Sequence, residues 1–157
     1  MLAPLNGDAA TNPTALFSSA IPANAKNVVG QHTRSMGELS RVGGTFLRGE
    51  IVGMTPHAHS WATRMVAQLR PAGGAEQCLI DVPDWDFNWQ LDYMFKNGVP
   101  YTQSDSVHVQ CDYDNTAENQ PVINGMRTPV VPITFGEKTL DEMCLHYIWL
   151  RFPYAEF

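Results

Sequence analysis

Of the five histidines in this chain, only His57 and His59 stand close together, in Pro56-His57-Ala58-His59 within an apolar, β-prone run. On a strand the side-chain period of two puts both imidazoles on one face, where they can share a metal ion. A bare His-x-His also fits two surface histidines at a strand end. Late in the chain Asp141-Glu142-Met143-Cys144 opens a second hydrophobic strand and offers a third ligand. Two imidazoles and a thioether make a mixed set. Thioether sulfur favours copper(I), whereas zinc and iron sites with two histidines usually add a carboxylate or thiolate. His57, His59 and Met143 therefore point to one copper ion, with a coordination position open for dioxygen or substrate. A blue-copper centre would need a thiolate, and the nearby Cys144 falls on the strand face opposite Met143.

The other candidates carry plainer readings. His32 lies in a stretch of uncertain structure and is a weak ligand candidate. His108 projects from a polar strand face, as a solvated histidine does. His146 lies opposite Met143 and reads as a packed core histidine. Met54 and Met65 read as core filler, Trp85 and Trp89 as core. Asp141 and Glu142 are adjacent on a strand, so they point apart and cannot act as an acid–base couple.

The elements that position these groups follow from composition and periodicity. A chain of 157 residues is one domain, or half of a two-domain enzyme, with enough length for a real core. Ten basic against sixteen acidic residues, net charge −6, argue against a nucleic-acid partner. No apolar run reaches the roughly 18 residues of a transmembrane helix. The first residues lack the basic flank and long apolar core of a signal peptide, as expected of a processed chain or one cut from something longer. Three cysteines, none in Cys-x-x-Cys, are too few for a disulfide scaffold and allow at most one internal bridge.

An irregular arm is expected over residues 1–14, then a single domain over 15–157. Ala15–Ile21 reads as a short strand. Residues 45–57 and 65–69 are strongly β, Pro71-Ala72-Gly73-Gly74 forms a hairpin turn, and Cys78–Val82 is the returning strand. The strongest alternation runs from Trp85 to Lys96 and predicts a long strand, a main stabiliser with Trp85, Phe87, Trp89, Leu91, Tyr93 and Phe95 on its buried face. Asn97-Gly98-Val99-Pro100 should turn the chain. Residues 106–113 alternate again, a polar loop covers 114–128 ahead of Val130-Val131-Pro132-Ile133, and a last, central strand spans 142–152. Many short strands and no long helix predict an all-β fold, an antiparallel, jelly-roll-like β-sandwich.

The order of His-x-His, Trp85-Asp86-Phe87-Asn88-Trp89-Gln90, Cys111 before an Asp-Asn loop, and Asp141-Glu142-Met143-Cys144 resembles the C-terminal domain of copper type II ascorbate-dependent monooxygenases, over about residues 16–152. That family includes peptidylglycine alpha-hydroxylating monooxygenase and dopamine beta-monooxygenase, and the likeness is greater to its bacterial members. The resemblance implies a jelly-roll-like sandwich. It also implies that His57, His59 and Met143 hold the copper at which oxygen is activated and a C–H bond hydroxylated, with Tyr147 close to that copper. It further implies a Cys111–Cys144 disulfide, and so a periplasmic or secreted location, leaving Cys78 as a buried thiol. Family enzymes carry a second, three-histidine copper on a separate domain. This sequence has no His-His pair, so the resemblance implies a partner domain or subunit that supplies electrons. Where the peptide-processing members hold a substrate carboxylate with arginine and asparagine, Thr55 and Leu145 stand here, which argues against a glycine-extended peptide.

Two alternatives from other classes accompany this reading: a non-catalytic copper-binding module, and a structural subunit of a larger extracytoplasmic assembly. A cupin also uses His-x-His on a strand, but Thr63 and Arg64 stand where its glutamate is expected.

Overall fold

The alternating runs pair into two antiparallel four-stranded sheets. The computed structural model describes residues 2–4, 20–42, 45–46 and 48–153. In chain order its elements are β1 (Leu2–Pro4), β2 (Lys26–Ser35), a one-turn helix α1 (Met36–Leu39), β3 (Arg41–Val42), β4 (Thr45–Phe46), β5 (Gly49–His57), β6 (Ala62–Arg70), β7 (Gln77–Val82), β8 (Tyr93–Tyr101), β9 (Ser106–Asp114), β10 (Val122–Ile123), β11 (Met126–Arg127) and β12 (Leu145–Arg151). One sheet has the order β1-β12-β5-β8 and the other β2-β9-β6-β7. Two further strand pairs, β3–β4 and β10–β11, stand apart from both. Counting only the eight sandwich strands, the orders become 1-8-3-6 and 2-7-4-5, the two interlocked Greek keys of a jelly roll.

Period two does the packing. β9 buries Val107, Val109, Cys111 and Tyr113 completely, and β12 buries His146, Ile148 and Leu150 while Leu145, Tyr147 and Trp149 are half-buried. These inner faces meet Ile51 and Met54 of β5 and Ala67 and Leu69 of β6 in one apolar cluster. Each fully buried large side chain is worth roughly 1.5–3 kcal/mol before entropy is subtracted. A second cluster, with Trp61, Met65, Trp85, Tyr113 and the disulfide, closes one end of the sandwich. Cys111 and Cys144 are bonded there, joining β9 of one sheet to the lead-in of β12 in the other. A loop closed over a separation of 33 residues contributes on the order of 3–4 kcal/mol by the chain-entropy account.

Several expectations need correction. Residues 85–92 are not strand, and β8 begins only at Tyr93. Side-chain turn chemistry overrides alternation there: Asp86 Oδ1 accepts from the Asn88 backbone N–H at 2.8 Å, and Trp89 N–H closes the turn onto Asp86 O at 2.9 Å. Trp89 is consequently 68 % exposed and Leu91 46 %, while Trp85 remains core. Asn97-Gly98-Val99-Pro100 lies inside β8, which bulges where the register against β5 slips between Ile51 and Gly53. Val130-Val131-Pro132-Ile133 contributes a single bridge, between Ile21 and Ile133. Within the expected polar loop, Asn124-Gly125, both with positive φ, make a tight turn between β10 and β11.

The arm expected to be irregular supplies β1, because β12 offers a free row of backbone groups on that side. The strand expected at Ala15–Ile21 lies outside the described residues except for its last two positions. Cys78 is exposed rather than buried, because β7 is an edge strand and Cys78 pairs with Gln68 on the outer face. His108 is buried rather than solvated. β9 is flanked on both sides, and Thr33 Oγ1 sits 2.9 Å from His108 Nδ1.

Candidate metal centre

The candidate ligands lie at the end of the sandwich where β5 leaves one sheet and crosses to β6 in the other. His57 ends β5 and His59 stands on the corner that follows. β12 enters alongside, pairing Leu145 with His57 and Tyr147 with Thr55. Continuing that antiparallel register by two residues brings Met143 opposite His59. Hydrogen bonds confirm the approach of the two backbones: His59 Nδ1 donates to Asp141 O at 2.8 Å, and the His59 backbone N–H donates to Glu142 Oε1. Met143, Leu145 and Tyr147 thus share the half-buried outer face with His57, and Cys144 and His146 point inward. The sequence offered no way to see that the two ligand-bearing segments are neighbours in one sheet.

Both imidazoles are held by the same ring atom. His57 Nδ1 lies 2.5 Å from Gln90 Oε1, and the Gln90 amide is oriented by its own Nε2 donating to Phe87 O at 2.7 Å. His59 Nδ1 meets a backbone carbonyl, which only accepts. A proton on Nδ1 in each ring leaves the Nε2 lone pair for a metal ion, the usual way a histidine ligand is fixed. The ring centres are 5.4 Å apart and nearly perpendicular, at 89°. Two imidazoles bonded through nitrogen at about 2.1 Å to one tetrahedral ion would have centres roughly 5 Å apart. The pair therefore fits a single ion. Among the described residues no group of three or more His, Cys, Asp or Glu side chains is placed to hold a metal ion, and Met143 is the candidate third ligand that the register supplies.

The surroundings fix the corner. Trp85 Nε1 donates to His59 O at 3.1 Å, and the Phe87 ring packs edge-on against His59, centres 5.7 Å apart. Tyr113 OH donates to Met143 O at 2.9 Å; burial, and then the nearby Glu142, pushes its pKa well above the ordinary value. Glu142 is fully buried, and burial raises its carboxyl to about 7 despite the backbone N–H groups pointing at it. Thr55, two residues before His57, is engaged with Asp92 and Trp149. A cleft of about 720 Å³ opens beside the corner, between Ser60, Phe87, Ile123 and Leu140.

A model of the copper type II ascorbate-dependent monooxygenase C-terminal domain matches residues 18–154. The chain belongs to that family. No curated protein matches it. Copper binding is a property of the family, and the copper type II monooxygenase domain seen here has the sandwich and the Cys111–Cys144 disulfide that the resemblance implied. Among the described residues no helix is long and apolar enough to cross a membrane.

The family motifs contain Trp85, Gln90 and Glu142, but the sequence alone assigns them no role around the histidines. Alternation puts Gln90 and Trp85 on a strand, whereas both lie in the turn-rich stretch before β8. The Asx-turn residues Asp86 and Asn88 were the available signal that this stretch instead wraps the histidines. Glu142, beside Asp141 in sequence, forms no pair with it and instead accepts from backbone N–H groups.

Proposed function

We propose that this chain is the oxygen-activating copper half of a monooxygenase that hydroxylates a substrate C–H bond, with His57, His59 and Met143 as the ligands of one copper ion. The observation that carries the reading is the matched pair of Nδ1 hydrogen bonds, to Gln90 and to Asp141 O, which supports Nε2 as the metal-binding atom of each imidazole. Copper, when bound, supplies the one-electron chemistry with dioxygen. The chain's own residues hold and orient. Gln90 and the Asp141 carbonyl keep the tautomers, Phe87 and Trp85 wall the corner, and Tyr147 shares the outer face with Met143. The thioether favours copper(I); hydroxylating a C–H bond with dioxygen and releasing water takes two electrons, of which one copper(I) ion would supply one, so the remaining electron and the re-reduction of the ion are assigned to a partner domain or subunit. The disulfide and the family support an oxidising, extracytoplasmic location. With Thr55 occupied by Asp92 and Trp149 and Leu145 apolar, the substrate is not held as a terminal carboxylate at these positions.

The test is oxygen consumption with ascorbate and copper, with and without an added electron-supplying domain of the family. Copper-dependent consumption that needs the added domain and vanishes in Met143→Ala is expected. No turnover under any pairing, with copper still bound, would leave the non-catalytic copper-binding reading.

A further inference from the structure

Burying a carboxylate costs several kcal/mol unless its partners compensate. Glu142 is completely buried, and its hydrogen-bond partners are not scattered. Oε1 accepts from the backbone N–H of His59 and, at 2.8 Å, from the N–H of Met143; Oε2 accepts from Trp61 N–H at 2.9 Å. One oxygen atom is thus shared by the backbones of two candidate ligands that lie 84 positions apart in sequence, counting from 59 to 143. The second oxygen pins the corner just beyond His59. Glu142 is itself anchored from a third segment, its N–H donating to Thr134 O at 2.9 Å and its carbonyl accepting from Gly136 N–H at 3.1 Å.

A corner between sheets leaves backbone N–H groups with no ladder partner, and water or a neutral side chain would satisfy them at lower cost. The carboxylate, on a side chain whose own backbone is anchored, accepts from His59 and Met143 at one oxygen and from Trp61 at the other, and so sets the separation of the two segments. The rest of His59 is fixed independently, its Nδ1 by Asp141 O and its carbonyl by Trp85 Nε1. The Glu142 contact therefore locates the whole residue relative to Met143 rather than merely orienting its ring. Metal sites lose affinity when ligands drift by more than about 0.5 Å.

We propose that Glu142 is a positioning residue of the copper centre, a clasp whose carboxylate holds the His59 corner and the Met143 segment at the spacing that lets thioether and imidazole reach the same ion. The proposal rests on the ligand set proposed above. Its test uses copper(I) alone, added anaerobically to the folded chain, and reads affinity by competition with a chromophoric copper(I) chelator and ligand identity by X-ray absorption. Glu142→Ala should lower copper(I) affinity by about 10- to 100-fold and diminish the sulfur contribution while the imidazole contribution persists. Glu142→Gln, which keeps the length and one carbonyl oxygen, should recover part of both and guards against a poorly folded alanine variant. A merely structural role would lower the melting temperature and leave the sulfur contribution unchanged. Folded Glu142→Gln and Glu142→Ala proteins that both bind copper(I) within about threefold of wild type, sulfur included, would overturn the proposal while sparing the ligand set. A wild-type chain with no sulfur contribution would instead overturn the ligand set, and this role with it.

Discussion

His59 and His146 are both buried imidazoles in one small sandwich, 6 % and 0 % exposed, and their surroundings treat them in opposite ways. His59 stands on a corner where a carbonyl takes its Nδ1 proton, Trp85 takes its backbone carbonyl, and Glu142 takes its N–H. His146, on the inner face of β12, has neither ring nitrogen hydrogen-bonded. Burial, and then the charge of His32, lowers its pKa to about 3, so it is a neutral ring packed as an apolar group. Burial alone therefore says little about whether a histidine can serve a metal. What distinguishes the two is an acceptor at Nδ1, which decides where the proton sits and which nitrogen is left.

The largest effect that would break this comparison is on copper itself. His59→Ala should weaken copper(I) binding by about 10³-fold, near one ligand's share of a structural metal site's binding free energy. His146→Leu should leave that affinity within about twofold, measured by chelator competition.

The next is the response to acid. The folded His146 refuses a proton that the unfolded chain takes up below about pH 6.5, so stability falls as pH drops from there towards 3, by at most about 1.4 kcal/mol per pH unit. Asp105 and Asp114, whose pKa values are lowered, act in the same direction at low pH. Glu142, raised to about 7, acts oppositely between its ordinary value of 4.5 and 7. The difference between wild type and His146→Leu isolates the histidine. In denaturant titrations it should grow steadily in favour of the variant as pH falls below 6.5, and a constant difference would refute the neutral-core reading.

A smaller effect sharpens the role of the Nδ1 acceptor. Gln90→Leu removes the acceptor from His57 while leaving the ring in place, and should cost about tenfold in copper(I) affinity with little change in melting temperature. The smallest concerns the loop that was expected to be core. Trp89→Ser should change stability by no more than about 0.5 kcal/mol, whereas Trp85→Ala, from the end cluster, should cost about 3–5 kcal/mol by chemical denaturation.

What was legible in the sequence was what period two encodes. The split of β12 and its lead-in into an outer Met143–Leu145–Tyr147 face and an inner Cys144–His146–Ile148 face, and the buried face of β9, follow from alternation alone. The same rule misread residues 85–92, because Asp86 and Asn88 can satisfy the backbone locally and so release the chain from any sheet. It was equally silent on pairing. Leu145 meets His57 through a register set by strands far apart in sequence, and only that register makes Met143 a neighbour of His59. Glu142 was hidden for a related reason: a carboxylate that caps backbone from another strand leaves no local pattern.

X-ray absorption on the copper(I)-loaded chain, wild type against Met143→Ile, tests the centre most directly. One copper per chain with imidazole nitrogen and one sulfur in its coordination sphere, the sulfur absent from the variant, is the predicted result. An identical spectrum from the two proteins, or copper bound without either histidine, would contradict it.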